Sequence, residues 1–229
     1  EEVNPFAYKR QTQLIGFSFE YGSSSATTTG HIEELTLAQP IIPKTKPEMF
    51  VPKDSIRSIF TDVKDFRFGV DSVATKDAQR NDIYAVVYQP YYFTNYSSER
   101  PIFSKIRAIG QAKASGNFLM YSSAILFTRL EEITLLRAEA LAVLGLRNDA
   151  INALNRAAQL RGTSPFLETS SKDLLDAIFA ERRRELMGEG WRWYDIIRYN
   201  RLKNPAGAFI YKNGVPLTFA QAQSAGALY

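Results

Sequence analysis

Two periodicities divide this chain. Up to about residue 115, apolar positions recur at short, broken intervals among Ser, Thr, Pro, Tyr and Phe; from about Ser122 they recur at helical spacing. Residues 13–21 alternate, with Leu14, Gly16, Ser18 and Glu20 on one side and Ile15, Phe17, Phe19 and Tyr21 on the other, which predicts a strand. The Ser/Thr run at 22–30 predicts a surface loop. Pro40, Pro43, Pro47 and Pro52 predict extended chain, because proline lacks the donor that helices and central strands need. A short helix is predicted from Lys53 or Asp54 to about Thr61, with Ile56, Ile59 and Phe60 inward. Ile83 opens a strand that gives way at Pro90 to an aromatic loop, and residues 104–109 predict another strand.

In the helical part, Leu130, Ile133, Leu136 or Arg137, Ala140 and Leu144 form one stripe, and Leu135, Ala138 and Ala142 a second. Two apolar faces predict burial on two sides. Gly145 closes this helix in the left-handed conformation, and Asn148 or Asp149 caps the next, with Ala150, Ile151, Leu154, Ala157 and Ala158 inward. The two form an antiparallel hairpin, and Ala138, Ala142, Ala150 and Ala157 permit close approach, as in tetratricopeptide repeats. Ser170 with Asp173 reads as a capping box for a third helix, with Leu174, Leu175, Ile178, Phe179 and Leu186 inward. Glu181 with Arg184, and Arg182 with Glu185, are spaced to pair on its surface. Gly188 and Gly190 end it, and Trp191, Trp193, Tyr194, Ile196 and Ile197 begin another helix, their aromatic rings read as buried locks between the two. Beyond lies an Asn213-Gly214 turn between two short strands.

The expected organisation is therefore an irregular loop and strand part at 1–115, a helical core at 116–203 and an extension with short strands at 204–229. The fold class is mainly α, with tetratricopeptide-like hairpins carrying irregular insertions. Stacked helical repeats need about three units for stability, so a single clear hairpin implies partner repeats in a longer chain. The opening EEVNPFAY reads as neither signal peptide nor initiator context, which also leads us to expect a fragment.

Composition narrows the chemistry. With 229 residues and 45% apolar side chains the chain can build a real core. The most hydrophobic stretch, 133–144, is interrupted by Arg137 and Glu139 and falls well short of the roughly 20 apolar residues a span requires. The absence of cysteine excludes disulfides, thiolate metal sites, a cysteine nucleophile and a lipid-bearing cysteine within these residues. Net charge is +4, but bases and acids are interleaved, which argues against nucleic acid as partner. His31, the one histidine, has no metal-ligand spacing around it. Glu33-Glu34 and Glu131-Glu132 are adjacent pairs whose side chains diverge and cannot flank one bond. No nucleophile elbow, phosphate loop or HExxH motif is present, so the residues favour binding over catalysis, with no cofactor and no metal.

The candidate ligand surface is Tyr88, Tyr91, Tyr92, Phe93 and Tyr96, with Asn95 and Arg100 beside them. Pyranose rings lay apolar C–H faces on aromatic rings while polar side chains take their hydroxyls. The same residues also read as a strand pair with its aromatics in the core. The 22–30 loop with His31 is a second, weaker candidate.

The segments RLEEITLLRAEALAVLG at 129–145, DAINALNRAAQLRG at 149–162 and ERRRELMGEGWRWYDIIR at 181–198 occur in an order that resembles the C-terminal part of the SusD/RagB family. The matching positions are Arg129, Glu132 and Ala138-Glu139-Ala140, then Leu154-Asn155 with Arg161, then Glu181, Arg182, Glu185, Trp191, Trp193, Asp195 and Arg198. Asp65 and Arg67 are similar to an upstream element of the same family. Glu131 departs from the pattern, standing where the family usually has alanine. The resemblance implies a SusD-like α-α superhelix and a structural role for the signature, with Arg182, Arg192, Arg198, Glu185 and Asp195 as interlocked ion pairs. It further implies an outward-facing lipoprotein of the cell outer membrane, its anchor cysteine outside this chain, that captures glycans for a SusC-like TonB-dependent transporter. The alternative is a helical-repeat adaptor for a peptide or protein, including peptide capture of the RagB type.

Overall fold

The computed structural model describes residues 12–17, 35–37, 46–68, 74–76, 82–84, 92–94, 102–106, 124–170, 173–203, 208–212, 215–218 and 221. The chain divides into two compact units, Glu1–Thr134 with Asn155–Phe166, and Leu135–Leu154 with Leu167–Tyr229.

In the first unit, strand β1 (Gln13–Phe17) begins the predicted alternation, while residues 18–21 lie outside the described residues. The helix α1 (Lys53–Ile59) follows, with Ile56, Ile59 and the succeeding Phe60 buried as expected. Two ribbons come next, β2 (Ala74–Lys76) on β3 (Asp82–Tyr84), and β4 (Phe93–Thr94) on β5 (Ile102–Phe103). Of the strand expected at 104–109, residues 104–106 are not strand and residues 107–109 lie outside the described residues; the strand there is β5, which ends at Phe103, with the Ser104 N–H still on the Tyr92 carbonyl at 2.8 Å. Phe93, fully buried, is the centre of this core: the rings of Phe60, Phe68 and Phe103 lie 6.0, 6.4 and 5.3 Å from its own.

The helical period was expected from Ser122, but residues 125–129 are strand β6 (Ile125–Arg129), antiparallel to β1. The reason lies in the residues: Ile125, Phe127 and Thr128 favour an extended backbone, and β1 supplies the ladder partner. Gly16 allows the close approach, since a Cβ there would sit 2.9 Å from the Ile125 carbonyl oxygen. Leu14, Ile15, Phe17, Ile125 and Phe127 are all exposed on this ribbon.

Helix α2 (Leu130–Val143) starts directly after β6. Burial falls on one face only, a correction to the expected two: Leu135 and Ala138 are inaccessible, whereas Leu130, Ile133 and Leu144 are exposed. The buried face admits Glu132 and Glu139 because both carboxylates are bonded. Gly145, at φ +77°, ends the helix, with the Leu146 N–H on the Leu141 carbonyl and the Gly145 N–H on the Ala142 carbonyl. Helix α3 (Arg147–Gln159) starts ahead of the expected Asn148 or Asp149 cap, and all five of its predicted inward residues are buried.

The second unit continues with helix α4 (Leu174–Glu185), helix α5 (Arg192–Lys203), and an antiparallel pair of β7 (Ala208–Lys212) and β8 (Val215–Thr218); the predicted Asn213-Gly214 turn lies outside the described residues. Asp173 is itself the cap of α4, accepting the Asp176 N–H at 3.0 Å, rather than the fourth member of a box opened by Ser170. Leu174, Ile178, Phe179 and Leu186 are buried, and Phe179 meets Tyr199 edge-on at 5.2 Å.

Candidate functional site

Three fully buried arginines organise the described residues. In the first unit Arg67 is fully enclosed. Its Nε and Nη2 donate to Asp65 Oδ1 and Oδ2 at 2.9 and 2.8 Å, and its own N–H donates to Oδ1. A bidentate fork of this kind offsets much of the cost of removing both charges from water. The Arg67 carbonyl accepts the N–H groups of Tyr92 and Phe93 at 2.7 and 3.2 Å, and its guanidinium lies 5.6 Å from the Phe60 ring centre. The same segment is anchored by Asp62, which accepts the N–H groups of Ser164 and Lys64; those two bonds, the Ser164 one foremost, hold its carboxyl below the ordinary aspartate range.

Arg129 comes second, buried at the end of β6 and paired with Glu131 at 3.0 Å. Glu131 also faces Arg161 Nη2 at 3.4 Å. The departure from the family pattern therefore supplies a carboxylate between two arginines. Neighbouring Glu132 accepts the Thr128 hydroxyl. Asn155 explains the Leu-Asn pair: its amide bonds both the carbonyl and the N–H of Phe166, at 3.0 and 2.7 Å, and so pins the chain after α3.

The third is Arg182, fully buried in the second unit, whose Nε donates to Asp195 Oδ1 at 3.0 Å. Asp195 also accepts from Arg198 at 3.0 Å, and Arg198 forks onto Glu139 at 2.9 and 2.8 Å. The bond to Glu139 is the main reason that the Arg198 pKa is raised, against an opposing effect of burial. Glu181 is buried and takes Arg184 at 2.7 Å, as predicted, while Glu185 is buried and engaged. The signature positions Arg129, Glu132, Glu139, Glu181, Arg182, Glu185, Asp195 and Arg198 are thus all engaged within the fold.

Two expectations need correction. Arg192 makes no ion pair among the described residues, although it lies within the electrostatic reach of Asp195. Trp193 and Tyr194 are 48% and 60% exposed rather than buried, because Asp195 is the first-turn residue of α5 that turns inward to the arginines. Trp191 is half-buried and meets Tyr194 edge-on at 6.2 Å.

Among the ligand candidates, Tyr92 and Phe93 are buried at 3% and 0% exposure, with the Lys105 ammonium 4.5 Å over the Tyr92 ring. A ligand-contact role for these two rings is therefore withdrawn: they pack in the core, the alternative that their residues left open. Tyr88, Tyr91, Asn95, Tyr96 and Arg100 lie outside the described residues, as do His31 and the 22–30 loop. Lys105 was not legible beforehand; its position two residues after the Ile102–Phe103 strand is the one sequence cue. Among the described residues, no group of three His, Cys, Asp or Glu is placed to hold a metal, and no helix is long and apolar enough to cross a membrane.

Helices with short strand insertions, tied by buried arginine–carboxylate pairs, define a tetratricopeptide-like class of protein. Over its whole length the chain is similar to a solved SusD superfamily protein from Bacteroides thetaiotaomicron, at 36% identity and a TM-score of 0.67, covering 43% of that chain. A second solved SusD homologue from the same organism shares the fold at 23% identity and a TM-score of 0.57, over 97% of this chain and 43% of the other. A SusD-like protein of Formosa agariphila is 40% identical over 86 residues, 34% of this chain and 17% of that protein. The SusD family model matches residues 44–225, and the chain belongs to the SusD family. It spans less than half the length of these relatives.

Proposed function

We propose that this chain is part of a cell-surface protein that captures glycans and passes them to a SusC-like TonB-dependent transporter in the outer membrane. Membership of the SusD family over residues 44–225 is the observation that carries the reading. The signature carboxylates Asp195, Glu139 and Glu181, and the non-signature Glu131, support binding over catalysis, since each is committed to an arginine within the fold. With Tyr92 and Phe93 in the core, the proposed glycan contacts reduce to Tyr88, Tyr91 and Tyr96, with Asn95 and Arg100 at their rim.

Calorimetry against a panel of plant, host and microbial glycans tests this, with Tyr91→Ala/Tyr96→Ala as the paired variant. Binding by the parent and its loss in the variant is the expected result. A panel with no binder sinks glycan capture, and peptides become the next ligands to try, since Leu130, Ile133, Val143 and Leu144 leave apolar side chains on the surface of α2 and the turn after it.

A further inference from the structure

Helix α2 is apolar on two sides, and only one of them is covered. Leu135 and Ala138 are inaccessible. Leu130, Ile133, Arg137, Ala140 and Leu144 follow one another at steps of three, four, three and four residues, and all five are exposed. At about 100° per residue they fall in one narrow stripe, on the side away from Leu135 and Ala138. Leu144 is 72% exposed at its end. Steps of three and four in alternation are the a and d positions of a heptad, the spacing at which one helix seats its side chains between those of another. The stripe therefore specifies the shape of its cover: an α-helix crossing α2 at a shallow angle of about 20°, with Ala140 permitting close approach. An extended strand repeats at two residues and does not match it.

Arg137, in the middle of the stripe, specifies the charge of that cover. The residues three and four positions from it on its own helix are Ile133, Thr134, Ala140 and Leu141, none of them an acid. The helix's carboxylates are committed elsewhere: Glu131 to Arg129 and Arg161, Glu132 to Thr128, and Glu139 to Arg198. Arg137 makes no hydrogen bond or ion pair among the described residues. A guanidinium enclosed in an apolar seam needs a carboxylate across from it. The same charge argues against a second copy as the occupant. The stripe is nearly symmetric about Arg137, so two copies aligned on it, parallel or antiparallel, set guanidinium against guanidinium. The relatives point to the source. This chain matches a solved SusD superfamily protein over its whole length yet covers 43% of it, so most of that relative has no counterpart here. Stacked helical hairpins, moreover, need about three units for stability.

We propose that the outer stripe of α2 is a seam for a helix from the uncovered part of the longer protein, and that this helix carries a carboxylate opposite Arg137. The inference goes beyond glycan capture and does not depend on it.

The chain contains no cysteine, so one introduced thiol reports on the seam. Ala140→Cys, with Arg57→Cys on the exposed side of α1 as reference, is labelled by a maleimide in two settings. One is this chain alone; the other is a full-length chimera in which it replaces the matching part of the relative, whose own cysteines are changed to serine. The Ala140→Cys thiol should react about tenfold or more slowly in the chimera, and the Arg57→Cys thiol equally in both. Adding Arg137→Glu should restore labelling at position 140 in the chimera and leave the melting midpoint of the chain alone unchanged. Equal labelling at position 140 in the chain and in a chimera that melts cooperatively overturns the seam and leaves the face open to a peptide. Slow labelling in the chain alone, with a dimeric mass by light scattering, overturns it in favour of a second copy. A further measurement needs no chimera. A synthetic helix with leucine at a and d and glutamate at its central a position should bind the chain about tenfold or more tightly than the same helix with lysine there. In the Arg137→Glu chain that order should reverse. Equal binding of the two helices, or none by either, overturns the proposal.

Discussion

Arg67 and Arg182 are both fully buried and both end on an aspartate, yet they are built differently. Arg67 takes Asp65 from two residues earlier in its own loop. Arg182 takes Asp195 from the next helix, which is shared with Arg198, and Arg198 reaches Glu139, 59 positions away in sequence. The first pair shapes a local segment and presents its carbonyl to Tyr92 and Phe93; the second is one link in a chain that fixes the packing of α4 and α5 and recruits α2. The same pair of residue types therefore serves as a loop brace in one unit and as a helix tie in the other, and sequence separation is the difference.

Removing Asp195 should break the tie most severely. Asp195→Ala leaves Arg182 buried without that carboxylate and deprives Arg198 of one of two partners, and we expect a loss of about 3–5 kcal/mol in urea unfolding. Coupling to Glu139→Ala in a double-mutant cycle should be non-additive, since both act through Arg198; additivity would separate the links we join.

Arg67→Ala should cost about 3 kcal/mol, at the lower end of that range, because Asp65 retains the residue 67 N–H as a donor. A loss equal to that of Asp195→Ala would mean that local and distant pairs weigh the same.

Two glycines sharpen the picture on a smaller scale. Gly162 and Gly145 have φ of +75° and +77°, so both strain a side chain, but a Cβ at Gly162 would lie 2.6 Å from the Phe66 ring and 2.7 Å from the Lys64 carbonyl, while Gly145 has open space. Gly162→Ala should lower stability by about 2–3 kcal/mol and Gly145→Ala by about 1, read as midpoints of thermal unfolding. Equal shifts would mean that the loop held by Arg67 yields freely.

The smallest expected effect is acidic. Asp173 is held below its ordinary pKa first by the Lys203 ammonium at 2.8 Å and then by the Asp176 N–H, despite partial desolvation. A depressed folded-state pKa stabilises the fold above the unfolded value near 3.9, and that stability is lost as pH falls through the lower folded value. Lys203→Ala should therefore flatten the stability profile below about pH 4 by a few tenths of a kcal/mol, as exposed pairs allow. An unchanged acid limb would assign the shift to the helix cap alone.

Much of this was legible wherever one residue type has one physical use. Glycines at 145, 188 and 190, the inward face of α3, the Ile56, Ile59 and Phe60 triplet and the pairing of β7 with β8 follow from backbone rules and spacing. Legibility failed where a pattern has two solutions. Residues 125–129 suit either strand or helix, and the presence of β1 decided it. The aromatics at 92 and 93 suit either core or sugar platform, while those at 193 and 194 looked like core and are exposed, because burial depends on which neighbour folds over them.

The carbonyl of Arg67 also has a consequence for the time scale of opening. It holds the amides of Tyr92 and of Phe93, the second of which opens a strand only two residues long, and Phe93 sits at the middle of the ring cluster. In deuterium oxide such a short strand would ordinarily surrender its protons early. These two should instead be retained about as long as helical amides, because releasing them requires the enclosed guanidinium and its aspartate to move together. This loop and ribbon would then exchange as a single cooperative body, with a lifetime set by an ion pair rather than by a ladder.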